Sequence, residues 1–174
     1  MDTQNQLPEP PPMLAAPQEE HRWLQQLVGE WTNEAQMTMG PESVETCKGS
    51  ESVRSLGGLW ILAEGRGEMP GGGSATMLMT LGFDPVKKRY VGTWVGSMMT
   101  HLWVYDGELD ATGKVLTLNA EGPDMSPGAA PGKRARYRDV IEIKSADQRT
   151  LTSFCLGDDG NWQQFMTAHY RRVK

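Results

Sequence analysis

The amino-acid sequence predicts an all-β protein: a ten-stranded antiparallel up-and-down β-barrel with one short N-terminal helix plugging one end. Three observations predict it. After Gly29, runs rich in Val, Thr, Trp, Tyr and Leu recur about every ten to twelve residues and are separated by turn signals. The connectors between these runs are mostly short, which makes sequential strands antiparallel. Sequential strands either leave two exposed edges or close on themselves, and closure removes both edges.

A single short amphipathic helix is predicted over residues 17–28. Its first turn, PQEE, carries the proline and the acidic side chains that a helix start favours. Trp23, Leu24 and Leu27 then share one apolar face, and Gly29 ends the run. Because this helix enters the first strand directly, we expect its apolar face to plug the adjacent end of the barrel.

The ten strands are predicted from the β-forming runs and the turn signals between them. They cover 31–39, 43–55, 59–69, 75–84, 89–95, 101–109, 114–121, 133–144, 149–156 and 162–171. Several are apolar on both faces, as where His101, Trp103 and Tyr105 alternate with Leu102 and Val104. One face then lines a cavity while the other meets the helix or another subunit.

Composition and charge exclude several classes of partner. The chain has 174 residues and a formal net charge of −5 without a basic run, a poor match for nucleic acid or anionic membranes. It contains no apolar stretch of membrane-spanning length and no secretory signal. We therefore expect a cytoplasmic protein with one domain, 17–174, after a Pro-rich flexible arm at 1–16. Cys47 and Cys155 are then expected to be buried free thiols.

The connectors at the two ends of the predicted barrel differ in composition. In a meander, alternate turns lie at opposite ends. One end receives short, polar connectors without methionine, at 55–58, 84–88, 110–113 and 145–148. The other end receives connectors rich in glycine, proline and methionine, at 39–42, 69–74, 96–100, 122–132 and 157–161. Methionine suits surfaces that fit irregular apolar shapes. We expect this second end to be an open mouth, unless its methionines fold back and close the barrel.

A ligand site is predicted at this methionine-rich end. Trp94, His101 and Trp103 would line the cavity wall. Met98 and Met99, at the tip of the hairpin YVGTWVGSMMTHLWVYDGEL, would form its gate. The expected function is non-enzymatic binding of a small, mostly apolar molecule.

Several motifs resemble those of a known family. Gly29-Glu30-Trp31 resembles the G-x-W entry of lipocalin-like (calycin) barrels, in which the tryptophan closes the base and a basic residue of the last strand packs across it. Arg171 or Arg172 would take that basic role. The segments HRWLQQLVGEW, LGFDPVKKRYVGTWVGSM and YDGELDATGKVLTL and the terminal YRR resemble the bacterial domain of unknown function 1579 family (DUF1579), over residues 20–172. The resemblance implies a lipocalin-like barrel and no established activity.

Three alternatives remain open. A homodimer would use the same end or the outer sheet face, because strands with two apolar faces fit that equally well. An enzyme of calycin type would use His101 as general base. A haem-binding barrel would hold iron through His101, or through His169 on the last strand, where nitrobindin-like barrels carry their ligand. We expect no cofactor and no metal, since neither HExxH nor paired cysteines occur.

Two rows of charged residues are predicted to face solvent. One row consists of Glu64, Arg66 and Glu68 on a single strand, and the other is a row of three arginines, Arg134, Arg136 and Arg138. Alternate residues of a strand share a face. Burying several charges of one strand is costly unless they are paired, which favours the outer face for both rows.

Overall fold

The computed structural model describes residues 14–40 and 43–174. Within that part of the chain it contains one helix, α1 (Glu19–Gln25), and ten strands. The strands are β1 (Gly29–Gly40), β2 (Ser43–Leu56), β3 (Trp60–Glu68), β4 (Ser74–Asp84), β5 (Arg89–Gly96), β6 (Trp103–Leu109), β7 (Val115–Pro123), β8 (Arg134–Ser145), β9 (Gln148–Leu156) and β10 (Trp162–Arg172). The flexible arm expected at 1–16 lies outside the described residues, except for its last three, and stays a prediction.

The ten strands form one closed antiparallel barrel. Each strand pairs with its neighbours in sequence, and β1 closes the ring by pairing with β10 from Trp31–Arg172 to Met37–Met166. The predicted fold class is therefore confirmed. The predicted strand ends all lie within two residues of the observed ones, because turn residues rather than the β-forming runs themselves set them.

Alternation along each strand separates a packed interior from an outer face. The interior holds the largest fully buried side chains of the strands, Trp31, Ile61, Leu81, Tyr90, Leu116, Leu118 and Ile141. Small residues occupy many of the other inward positions. Gly92 is one of them, and a Cβ added there would overlap the Thr80 backbone. Bulky side chains therefore pack closely in the interior because glycine and alanine occupy neighbouring inward positions.

The helix α1 covers one end of the barrel, as predicted. Leu24 and Leu27 are buried, and burial of such a side chain contributes about 1.5–3 kcal/mol. Trp23 Nε1 donates a hydrogen bond of 2.8 Å to the Gly113 carbonyl in the β6–β7 turn. His21 Nε2 lies 3.1 Å from the Phe83 carbonyl at the end of β4. These contacts tie the helix to turns of the methionine-free end.

Beneath the helix, Trp31 seals the same end. Its Nε1 donates to the Leu27 carbonyl at 2.9 Å. The guanidinium of Arg172 lies 4.2 Å from the Trp31 ring and donates to the carbonyls of Val28 and Gln26. Arg171 points outward and is exposed. Of the two arginines considered for this position, the structure places Arg172 across the tryptophan.

The opposite end carries the methionine-rich connectors, since a sequential meander puts alternate turns together. Met39, Met98 and Met125 are exposed there, whereas Met99 packs against the core. Residues 41 and 42, which belong to the first of these connectors, lie outside the described residues. Among the described residues, one end of the barrel is thus sealed by a helix and the other is covered by loops.

Candidate functional site

The barrel wall is split between β6 and β7 toward the methionine-rich end. These strands pair only from Asp106–Asn119 to Leu109–Leu116. Beyond that, 103–105 remain paired with β5 alone, and 120–123 with β8 alone. If the register of the β6–β7 ladder continued, these two segments would pair with each other. The wall between β6 and β7 is therefore open toward the methionine-rich end and closed toward the helix-covered end.

A cavity of about 390 Å³ occupies this split. Its apolar lining comes from Leu102 and Val104, which are 52% and 60% exposed on the outer side of β6. Ala120 and Tyr137 contribute from the inward faces of β7 and β8. The cavity thus reaches from the outer surface of the sheet to the edge of the core.

The polar lining comes from the outer faces of the same three strands. It consists of Asp106, Asn119, Glu121, Arg134 and Arg136. Asp106 is already engaged by Arg89, at 2.6 Å. The site therefore combines an apolar floor with a charged rim, an arrangement suited to a small molecule that has both kinds of surface.

His101 spans the split. Its Nε2 donates to the Glu121 carbonyl at 3.2 Å, and its ring meets the Trp103 ring edge-on, with the centroids 4.8 Å apart. The partner of this histidine is a backbone carbonyl, not the carboxylate that would orient and activate a general base. The geometry gives His101 a bridging role across the gap where the strand ladder is missing.

Trp103 closes the cavity on its inner side. It is 7% exposed, and its Nε1 donates to Met99 Sδ at 3.1 Å. Its ring covers Gly122, where an added Cβ would overlap the ring atoms. Met99 therefore folds back from the hairpin tip onto the tryptophan. The predicted gate residue acts as a cover over the end of the barrel.

Trp94 and Met98 meet over a second glycine. A Cβ on Gly96 would lie 2.7 Å from the Trp94 ring and would overlap Met98 Sδ. Met98 is 40% exposed and Trp94 is half-buried against the core. Of the five predicted ligand-binding residues, only His101 lines the cavity, while Met99 and Trp103 lie on its core side and the other two stand beside it.

The barrel interior is closely packed beside the helix-covered end. A cavity of about 10 Å³ lies near the helix-covered end, beside the buried ion pair of Arg149 and Glu51. This volume is about the space of one water molecule. The guanidinium of Arg149 also lies 3.8 Å from the Tyr170 ring. The lumen beside this ion pair is therefore too narrow for a small organic molecule.

A second polar cluster is centred on Asp139. Tyr105 Oη and Ser153 Oγ each donate to its carboxylate at 2.5 Å. Burial raises the pKa of Asp139, and the hydrogen bonds from Ser153 and Tyr105 offset part of that rise. Burial and the nearby Asp139 also raise the pKa of Tyr105 well above its ordinary value. The hydrogen bonds to Asp139 join β6, β8 and β9, so the cluster is a structural network of the core.

The remaining candidates for metal or haem chemistry lie apart. His169 is exposed on the outer face of β10, between the buried residues Ala168 and Tyr170. Its side chain therefore points away from the lumen, where a haem would sit. Among residues 14–40 and 43–174, no three His, Cys, Asp or Glu side chains gather into a metal-holding group. The thiols of Cys47 and Cys155 are free, with Cys47 buried and Cys155 half-buried.

Comparison with known proteins places the sequence. The model of the family described as "Protein of unknown function (DUF1579)" matches residues 16–172. The chain belongs to that family. The resemblance drawn from its motifs is thereby confirmed. No curated protein sequence matches this DUF1579 chain.

Two solved structures show what the DUF1579 barrel resembles. Rv2717c from M. tuberculosis is similar with a TM-score of 0.63 and 12% identity, over 91% of this chain and 100% of that one. The S-type phycobiliprotein lyase CPES from Guillardia theta is similar with a TM-score of 0.55 and 13% identity, over 91% of this chain and 99% of that one. At these identities the likeness shows the fold alone.

Within the part of this DUF1579 chain that the structure describes, no helix is long and apolar enough to cross a membrane. The cytoplasmic location stays a prediction.

Sequence reasoning missed most of the residues that line the cavity. Leu102 and Val104 carried a signal, since β6 is apolar on both faces. Arg134 and Arg136 were expected on the outer face and do lie there, but nothing in their spacing tells that β7 parts from β6 beside them. The split depends on the absence of strand pairing, which no local pattern announces.

Proposed function

We propose that this protein is a small-molecule binding barrel whose ligand, mostly apolar, lies in the side cavity between β6 and β7 at the methionine-rich end. The observation that carries the proposal is the loss of pairing between 103–105 and 120–123, beside which lies a cavity of about 390 Å³ that opens to the outer surface. Ligand pockets of proteins measure roughly 300–1,000 Å³. The cavity falls within that range.

Exposed apolar surface in the cavity supplies the driving force for binding. Leu102, just before β6, and Val104, on β6, are both more than half exposed. Covering apolar surface stabilises a complex by about 25 cal/mol for each Å² removed from water. A ligand with an apolar body would cover both side chains and contact the Tyr137 ring behind them.

The hairpin tip at Met98 and Met99 provides an adaptable border. Thioether side chains pack against irregular shapes and against aromatic rings. Met99 already rests on Trp103, and Met98 is partly exposed beside it. Small rotamer changes in this pair would adjust the border to a ligand, which fits the expectation that this end receives it.

A charge placed on the cavity floor tests the proposal. We expect the wild-type protein to bind the neutral fluorescent probe N-phenyl-1-naphthylamine at one saturable site. Val104→Glu should weaken that binding about tenfold or more, since an apolar probe cannot solvate the new carboxylate. Val44→Glu is the matched control, because Val44 is 63% exposed on β2, away from the cavity. Fluorescence titration measures both.

Unchanged probe affinity in Val104→Glu, or an equal loss of affinity in Val44→Glu, would show that the probe does not bind in the cavity. Light scattering of both variants separates ligand binding from self-association. A homodimer built on the same outer face would show as a change of mass with Val104→Glu, while a binding site would leave the mass unaltered.

A further inference from the structure

Two arginines at the cavity rim lack ionic partners. Arg134 and Arg136 make no ion pair or side-chain hydrogen bond with any residue that the structure describes. Their neighbour in the same row, Arg138, lies 4.0 Å over the Trp162 ring and donates to Asn119. An arginine on the outer face of β8 can therefore find a partner, as Arg138 does. The two that have none are the two that line the cavity.

The acids at the rim leave both arginines unpaired. Asp106 is paired with Arg89, at 2.6 Å, which also pairs with Glu108. Glu121 stands across the ladder from Arg136 but makes no ion pair with it, and Arg134 stands across from Pro123. Arg134, Arg136 and Glu121 are thus the charged lining residues that make no ion pair with a described residue. The four charged lining residues balance in formal charge, but two of these three unpaired groups are guanidiniums.

The two unpaired arginines and the apolar floor together define a ligand class. We propose that the side cavity takes an amphipathic organic anion, whose head group pairs with Arg134 and Arg136 and whose apolar body covers Leu102 and Val104. This inference rests on the proposed function and adds the charge of the ligand. Planar guanidinium groups bind carboxylate or sulfate oxygens with two parallel hydrogen bonds, which gives both strength and orientation.

Ligands that share one alkyl chain and differ in head group test the inference. Decanoate, decanol and decyltrimethylammonium are titrated, below the concentration at which they form micelles, against protein loaded with N-phenyl-1-naphthylamine. We expect decanoate to displace the probe at a concentration at least tenfold lower than decanol, and the cation to be the weakest. Decyl sulfate should behave like decanoate, because the recognised feature is the anionic head.

A double variant assigns the preference to these residues. Arg134→Gln with Arg136→Gln should weaken decanoate binding by about tenfold or more and leave decanol binding unchanged. The matched control is Arg54→Gln with Arg171→Gln, which removes the same charge from two exposed arginines outside the cavity. The control should keep the preference of the wild type for decanoate.

Equal binding of decanol and decanoate, an unchanged preference in the Arg134 and Arg136 variant, or an equal loss in the control would each overturn the head-group assignment. In those cases probe binding persists, and the proposed function stands without it. If the wild type does not bind the probe at all, the proposed function fails and this inference fails with it.

Discussion

At the scale of single residues, the sequence pattern shows which side chains face the interior but not the partners of a buried polar group. Asp139 lies on a strand whose inward positions are otherwise aromatic or aliphatic, and its carboxylate is held by Tyr105 and Ser153. Alternation along β8 indicated which face it shares with Tyr137 and Ile141. It did not indicate the partners, because they come from β6 and β9, far away in sequence.

Asp139 should make stability depend on pH. Burial raises its pKa in the folded state above the unfolded value, so the protonated form is favoured by folding. The corresponding stabilisation is fully present below the unfolded pKa, about 3.9, and is lost as pH rises through the folded pKa. Asp139→Asn cannot ionise, so its stability relative to wild type should increase as pH rises from about 4 toward neutral. Urea unfolding at several pH values measures this difference.

A constant difference in stability between the two proteins across that range would show that Asp139 has the same pKa in the folded and unfolded states. Tyr105→Phe provides a second reading. This change removes one hydrogen bond to the carboxylate and so raises the folded-state pKa of Asp139 further. The fall in stability with rising pH should therefore extend to higher pH in this variant than in the wild type.

At the scale of elements, β6 and β7 determine the site. The sequence predicted both strands, and each predicted boundary lies within two residues of the observed one. It also predicted the connectors that bring Met98 and Met99 to the end of the barrel. The absence of pairing between Trp103 and Gly122 was not predictable. The register of β6 and β7 would have paired them, and β-propensity does not indicate where two neighbouring strands separate.

Trp103 bridges that gap from the inside, and Gly122 makes room for it. Gly122→Ala adds a Cβ that overlaps the ring, so we expect a loss of about 1–3 kcal/mol in the free energy of unfolding. Gly65→Ala is the control, since its Cβ would lie 3.3 Å from the flexible Met77 methyl group, which can move aside. Denaturant unfolding measures both, and tryptophan fluorescence reports the displacement of the ring.

A loss in Gly65→Ala as large as that in Gly122→Ala would point to a general effect of strand glycines. It would remove the reason for assigning Trp103 a special place over the β7 backbone.

At the scale of the whole molecule, the two ends of the barrel serve different purposes. Strand parity, read from connector lengths, predicted that α1 would cover one end and that the methionines would gather at the other. It also favoured a lumenal ligand entering through an open mouth. The structure packs the lumen closely near the sealed end and has a cavity of about 390 Å³ in the wall, because Trp103, Met99 and Tyr137 occupy the space that an open mouth would need.

The most direct test of the account is a map of where a ligand touches the barrel. Two-dimensional ¹H–¹⁵N NMR spectra of the full chain are recorded during titration with N-phenyl-1-naphthylamine. We predict saturable shifts confined to 101–106, 119–122 and 134–137, with β1 to β3 unaffected. Shifts concentrated on the inward residues of β1 to β3, or no saturable shift anywhere, would contradict a binding site in the parted wall.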